Sequence, residues 1–251
     1  MKKILFATDL DGSLISEQKV DDAVPVLQTS HGCSYILPKN LELLEMIMEH
    51  ADVVPLTARC ESSFSKFTIN GRFNNALLEN GAILLNNGIP DKEWESESER
   101  MVRAGENKKK ILEDYFEGNG YDKKSSSKFI IDYINNGICG RENELHYKKI
   151  IKLAGGEFDV NICNPHQIYL THKLIDKSIS LQRFLAKHPY NLVITCGDTA
   201  ADWGMLEKYL GIGPSDSPAR YRFPHTHAEN EHGFTTFALS MALKIINGFL
   251  T

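Results

Sequence analysis

The sequence predicts an α/β fold in which a parallel sheet flanked by helices is interrupted by a smaller α+β domain. Three observations carry this. Short apolar runs alternate with segments of helical periodicity, polar residues cluster directly after several of those runs, and composition turns highly charged from residue 91 before the first pattern resumes.

In chain order, Lys3-Ile4-Leu5-Phe6-Ala7-Thr8 is a strand-like apolar run that ends in Asp9-Leu10-Asp11-Gly12-Ser13. Leu41, Leu44, Ile47 and Met48 recur at helical spacing over residues 38–50, and Pro38 suits a first helical turn. Residues 51–56 read as a buried strand running into Thr57-Ala58-Arg59, and a helix then leads to a further strand over 76–85. The order strand, helix, strand implies parallel pairing, because parallel neighbours need a crossover connection. Asn86-Asn87-Gly88-Ile89-Pro90 is a turn, so a domain boundary falls after residue 86. Beyond it the spacing predicts a polar helix near 97–117, alternation over 128–134, a helix near 142–153 and short strands at 158–162 and 167–171. Apolar Phe158/Val160/Ile162 and Ile168/Leu170 describe a sheet with one buried and one open face. The main pattern returns with a helix over 176–187, a strand over 192–196, a helix from Asp202, a strand at 211–213 and a last helix over 235–249. Residues 1–86 and 172–251 thus form the main domain, and 87–171 an α+β insert.

A chain of 251 residues is long enough to bury a substantial core. Hydrophobic residues at 42% and charged residues at 24% are globular values, and the apolar runs are shorter than a membrane span needs. Met1-Lys2-Lys3 is followed by only a brief apolar stretch, unlike a secretory signal, so a cytoplasmic location is expected. Five widely spaced cysteines without zinc-type spacing suit reduced thiols. A net charge of -5 argues against a general polyanion-binding surface, so neither nucleic acid nor membrane is an expected partner. A monomer or a small homo-oligomer suits this composition equally.

Open parallel sheets bind ligands beyond the carboxyl ends of their strands, which makes the polar residues there the candidates for chemistry. Asp9 and Asp11, two apart on an extended segment, can face one small volume, and Gly12 permits a sharp turn. Close carboxylates repel, and a hard cation such as Mg²⁺ relieves that repulsion. An Asx-turn closing the strand suits the same residues. Gly197-Asp198 ends the apolar run 192–196, and Asp202 lies one helical turn further on. Both can join a magnesium site, and both also suit a helix N-terminus. Lys177 can neutralise charge between a carboxylate and an anionic substrate, with Lys173 as competitor. Thr57 offers a hydroxyl and an amide to a phosphate oxygen. His225-Thr226-His227 with His232 lacks the ligand spacing of a metal centre, and Cys60 beside Arg59 has no evident base partner.

In order, Asp9-Leu10-Asp11-Gly12-Ser13, Thr57, Lys177 and Gly197-Asp198-x-x-x-Asp202 resemble the four motifs of the haloacid dehalogenase superfamily, across nearly the whole chain. The position of the insert and Asn80-Gly81-Ala82 resemble the branch of sucrose-phosphate, mannosyl-phosphoglycerate and Cof-type phosphatases. The resemblance implies a doubly wound, Rossmann-like core with an α+β cap between the second and third motifs. It implies a phosphatase acting on a small phosphorylated metabolite, a sugar phosphate, with Asp9 as nucleophile and Asp11 as acid and then base. Mg²⁺ would be held by Asp9, the Asp11 carbonyl and Asp198, with Asp202 acting directly or through water. Thr57, Ala58, Arg59 and Lys177 would bind the phosphoryl group. Dehalogenating members lack the second aspartate, and transport ATPases carry Lys-Thr-Gly after the nucleophile. A phosphomannomutase-type mutase shares the cap and both aspartates, although its fourth motif is longer and glycine-rich. A non-catalytic sensor of phosphometabolites would be expected to lose Asp9 or Asp11. Two departures stand out: Ala201 occupies a position that is commonly Asn, and the polar link 17–39 is longer than usual and is expected to influence substrate choice. Arg103, Lys128, Arg141, His166 and Tyr169 are candidate cap contacts.

Overall fold

The computed structural model describes residues 3–29, 32–125, 127–135, 141–164, 167–216, 222–225 and 231–251. Strand β1 (Ile4–Thr8) is apolar and buried at every position, so it needs neighbours on both edges and cover on both faces. The chain then coils tightly, with the Leu14 and Ile15 amides both donating to the Leu10 carbonyl at 2.8 and 2.9 Å. The long link that follows contains an antiparallel hairpin, β2 (Val24–Thr29) and β3 (Gly32–Ile36). Helix α1 (Pro38–Met48) begins on its proline, where a missing N–H costs nothing, and buries Leu44 and Ile47. Strand β4 (Asp52–Pro55) and a short helix α2 (Glu61–Phe64) come next.

Residues 76–85 are not the single strand that their apolar run predicts. They form a hairpin of β5 (Asn75–Leu78) and β6 (Ile83–Asn86), extended by β7 (Ile89–Pro90). The reversal occurs because Glu79, Asn80 and Gly81 take left-handed backbone, with φ of 52°, 56° and 91°. Parallel pairing with the main sheet is thereby reduced to one bridge, Leu56 with Leu77. A Cβ on Gly81 would stand 2.2 Å from Ser180 Cβ. Gly81→Ala is therefore expected to destabilise the protein by about 3 kcal/mol, from the left-handed backbone and the overlap together. A denaturant midpoint within error of wild type would contradict this.

The second unit opens with α3 (Lys92–Val102) and α4 (Glu106–Gly118), two helices where one is predicted over 97–117. A single 3₁₀ turn, Arg103–Gly105, separates them, and a Cβ on Gly105 would stand 2.8 Å from the His172 ring. Then follow β8 (Tyr121–Lys123), β9 (Ile130–Asn135), α5 (Arg141–Ala154), β10 (Phe158–Asn164) and β11 (Gln167–His172). The antiparallel sheet has the order β10-β11-β9-β8. Leu112 and Phe116 of α4 and Ile150 of α5 pack on its inner face with Ile131, Tyr133 and Leu170, and the Phe116 and Tyr133 rings stack at 4.7 Å.

The remaining elements are α6 (Lys177–Lys187), β12 (Leu192–Cys196), α7 (Trp203–Lys208), β13 (Leu210–Pro214), β14 (Phe223–His225) and α8 (Glu231–Leu250). The main sheet runs β14-β13-β12-β1-β4 and is parallel throughout. Strand order changes direction at β1, which is where open α/β sheets form a crevice. Helix α8 is long and apolar enough to cross a membrane, with mean hydropathy 1.3 over His232–Leu250. Here one stripe of it, including Phe234, Ala238, Leu239, Ala242 and Ile246, is buried, and the helix packs on α1.

The chain divides into two compact units, residues 1–91 with 177–251, and residues 92–176. The sequence places these junctions after 86 and 171. Pairing of β7 with β6 keeps residues 89–90 in the first unit, while the Lys173 amide, donating to the Glu157 carbonyl at 2.9 Å, ties the following turn to the second.

Candidate active site

In the main sheet Thr8 lies level with Cys196 of β12 on one side and Pro55 of β4 on the other. Asp9, Asp198 and Thr57 therefore leave the sheet at one edge, although they are far apart in sequence. The Asp9 amide donates to the Cys196 carbonyl at 2.9 Å, and the Leu56 amide to the Thr8 carbonyl at 2.8 Å, which holds the three strand ends together.

Lys177, the first residue of α6, lies 2.9 Å from Asp9 Oδ1 and donates to Asp202 Oδ1 at 2.7 Å. All three side chains are buried, Lys177 at 3% exposure and Asp202 at 0%. Lys173, the competing lysine, belongs to the other unit and is exposed. Asp202 Oδ2 accepts from the Thr199 amide at 3.0 Å and the Thr199 hydroxyl at 2.9 Å, a reciprocal cap that locks the carboxylate. Ser13 donates to Asp198 Oδ1 at 3.1 Å. The site uses Ser13 and Thr199, which sequence reasoning passed over; Thr199-x-x-Asp202 is a readable capping pattern.

Oxygens of Asp9, Asp198 and Asp202 all lie within 4.8 Å of one another. Burial pushes the Asp9 carboxyl well above the ordinary range; Lys177 opposes this, and Asp202, Asp198 and Asp11 reinforce it. Burial, with Asp202 beside it, lifts Asp198 to about 7. Burial works against the Lys177 ammonium, yet Asp202 and Asp9 outweigh it and raise its pKa. When ionised, the three carboxylates exceed the Lys177 charge by two, and they supply hard oxygen donors close together. A divalent cation such as Mg²⁺ fits that charge and that donor set. Gly12, at φ 75°, takes part in this fit, since a Cβ there would stand 2.2 Å from Asp198 Oδ2.

The Thr57–Arg59 loop is held from beneath by the left-handed turn, whose Asn80 and Glu79 amides donate to the carbonyls of Thr57 and Arg59 at 2.8 and 3.1 Å. Ala58 offers this loop only backbone atoms. The Arg59 side chain turns to Asp11: Nε donates to Oδ2 at 2.7 Å and Nη2 to Oδ1 at 2.6 Å. Burial would weaken the Arg59 charge, and the bond to Asp11 more than restores it. His232 Nε2 meets the Gln18 carbonyl at 2.7 Å, and among the described residues only the aspartate trio has metal-ligand geometry. His227 lies outside the described residues. Of the cap candidates, Arg103 is exposed, Lys128 is ion-paired with Glu95 and Glu99, and Tyr169 is half-buried on β11. The Arg141 side chain and His166 lie outside the described residues.

No protein-family model matches the sequence, and no curated protein matches it. Solved structures do. The sucrose-phosphatase of Synechocystis, solved with sucrose and phosphate, aligns over 98% of this chain and 99% of its own, with TM-score 0.65 and 14% identity. The chain shares the fold of haloacid dehalogenase-like hydrolases. The C-terminal domain of Candida albicans trehalose-6-phosphate phosphatase aligns over 97% of this chain and 92% of its own, at TM-score 0.61 and 15% identity. A phosphatase of the haloalkanoate (HAD) enzyme superfamily from Bacteroides thetaiotaomicron aligns over 98% of this chain and 96% of its own, at TM-score 0.58 and 16% identity. The parallel sheet and flanking helices predicted from sequence are those of this fold, and the unit 92–176 is an insertion into it.

Proposed function

We infer that the chain is a Mg²⁺-dependent phosphatase that hydrolyses a small phosphate monoester, a sugar phosphate, through an aspartyl-phosphate on Asp9. The observation that carries this reading is the buried Asp9 carboxylate, 2.9 Å from Lys177 and inside the acidic trio. An Asp9 oxygen attacks phosphorus while the bond from phosphorus to the sugar oxygen breaks, and Asp11 gives that oxygen its proton. Asp11 then takes a proton from the water that attacks the aspartyl-phosphate, which releases inorganic phosphate and restores Asp9. Lys177 and the Thr57 hydroxyl hold phosphoryl oxygens. Mg²⁺ would be held by Asp9, Asp198 and the Asp11 carbonyl, and when bound it offsets the negative charge shared by carboxylates and phosphoryl group. Asp202, whose oxygens already accept from Lys177 and Thr199, contributes its charge and fixes Lys177. The sugar-phosphate reading draws support from the sucrose- and trehalose-6-phosphate phosphatases among the similar structures.

Release of phosphate from p-nitrophenyl phosphate and from a panel of hexose and disaccharide phosphates, with Mg²⁺ and with EDTA, tests this. Mg²⁺-dependent release is expected; none from any ester would end the reading. Binding also has a thermal signature. Mg²⁺ at 100 times its Kd is expected to stabilise the protein by about 2.7 kcal/mol, a Tm rise on the order of 5–10 °C. Asp198→Asn should lose most of that rise, and an equal rise in the variant would remove Asp198 from the metal site.

A further inference from the structure

Resting on the phosphatase reading above, we propose that Arg59 is a positioning residue shared between Asp11 and the substrate: its guanidinium holds the acid–base carboxylate until a phosphoryl group takes the guanidinium over and frees Asp11. Both Asp11 oxygens lie in the fork, at 2.6 and 2.7 Å, so in this pose each already accepts a charge-assisted bond from Arg59. The planar fork matches carboxylate and phosphate alike, which makes the two direct competitors for it.

The two cations of the site differ in their freedom to exchange. Lys177 is 3% exposed and committed to two buried carboxylates. The Arg59 and Asp11 side chains are 18% and 40% exposed, so an anion arriving from solvent can reach this pair as it cannot reach Lys177. Arg59 is also steadied by contacts that do not involve Asp11. Its Nη1 donates to Ser63 Oγ at 3.0 Å, and its guanidinium carbon stands 5.0 Å above the Phe67 ring. Its amide donates to Thr57 Oγ1 at 3.2 Å, on the hydroxyl assigned to the phosphoryl group. The guanidinium can thus give up Asp11 without leaving the loop. Acid–base help then becomes available only when a phosphoryl group is present.

The test is a double-mutant cycle on binding, which needs no turnover: inorganic phosphate is titrated calorimetrically, in Mg²⁺, into wild type, Asp11→Asn, Arg59→Gln and the double variant. Removing Asp11 is expected to tighten phosphate binding roughly tenfold when Arg59 is present and by less than about twofold when it is Gln. Equal tightening in both backgrounds overturns the exchange and leaves the phosphatase reading intact. A wild type that neither binds phosphate nor hydrolyses an ester overturns both. Kinetics supply a second readout that a merely structural role would not produce. With Asp11 always free, Arg59→Gln is expected to raise KM for a hexose phosphate about tenfold while kcat stays within roughly threefold. A fall in kcat matching the rise in KM contradicts the proposal. Arg59→Lys, which keeps the charge and loses the fork, should lie between, and it serves in place of Arg59→Gln should that variant fail to fold.

Discussion

Asp9→Asn is expected to lower phosphate release by at least roughly 10³- to 10⁴-fold, because an amide cannot form the aspartyl-phosphate and no other carboxylate occupies its position. Asp11 is turned into the Arg59 fork, Asp202 is closed by Lys177 and Thr199, and Asp198 is held by Ser13. None of them can replace the nucleophile. The fold should survive the change. Burial and three neighbouring carboxylates already oppose the Asp9 charge, as its raised pKa shows, so a neutral residue of the same shape relieves repulsion while Oδ1 still accepts from Lys177. Stability in metal-free buffer is therefore expected to be unchanged or slightly higher while activity vanishes. The measurement is phosphate release alongside a denaturant titration. A variant that retains a tenth of wild-type activity would remove Asp9 from the chemistry, and parallel loss of stability and activity would make its role structural.

Lys177→Met is expected to have the largest effect on stability, a loss of about 3–5 kcal/mol in metal-free buffer. Met preserves much of the volume, but it leaves Asp9 and Asp202 facing each other without the ammonium that lies 2.9 and 2.7 Å from them. Both must then be protonated or hydrated within the core. Adding Asp202→Asn should recover a measurable part of the loss, because it removes one of the uncompensated charges. A midpoint shift equivalent to less than 1 kcal/mol in the single variant would mean that water reaches the cluster freely and that the burial argument fails.

The elements that were legible before folding share a local cause. Burial of β1 and β12 follows from short apolar runs, and α1 from its periodicity and Pro38, signals contained in a few consecutive residues. The hairpin β5–β6 was missed because an apolar run bridges Glu79-Asn80-Gly81; the Asn-Gly pair there is a hairpin signal, outweighed by the hydrophobic residues on either side. The break between α3 and α4 falls at Gly105, which faces the His172 ring, a contact that sequence separation conceals. The hairpin β2–β3 lies in a polar link whose residues show little alternation.

Within the site the division is sharper. By itself the sequence determined which carboxylates, hydroxyls and cations stand at strand ends and helix starts, since each is marked by the run that precedes it. Only the tertiary structure decided how they pair. Parallel register sets β1 between β12 and β4, and this converts residues far apart in the chain into one acidic trio around Lys177. The same packing turns Arg59 toward Asp11, where the family resemblance implied a phosphoryl group. The physical reason is that electrostatic partners are chosen by distance and burial in three dimensions, whereas the pattern along a chain records only which face each residue presents.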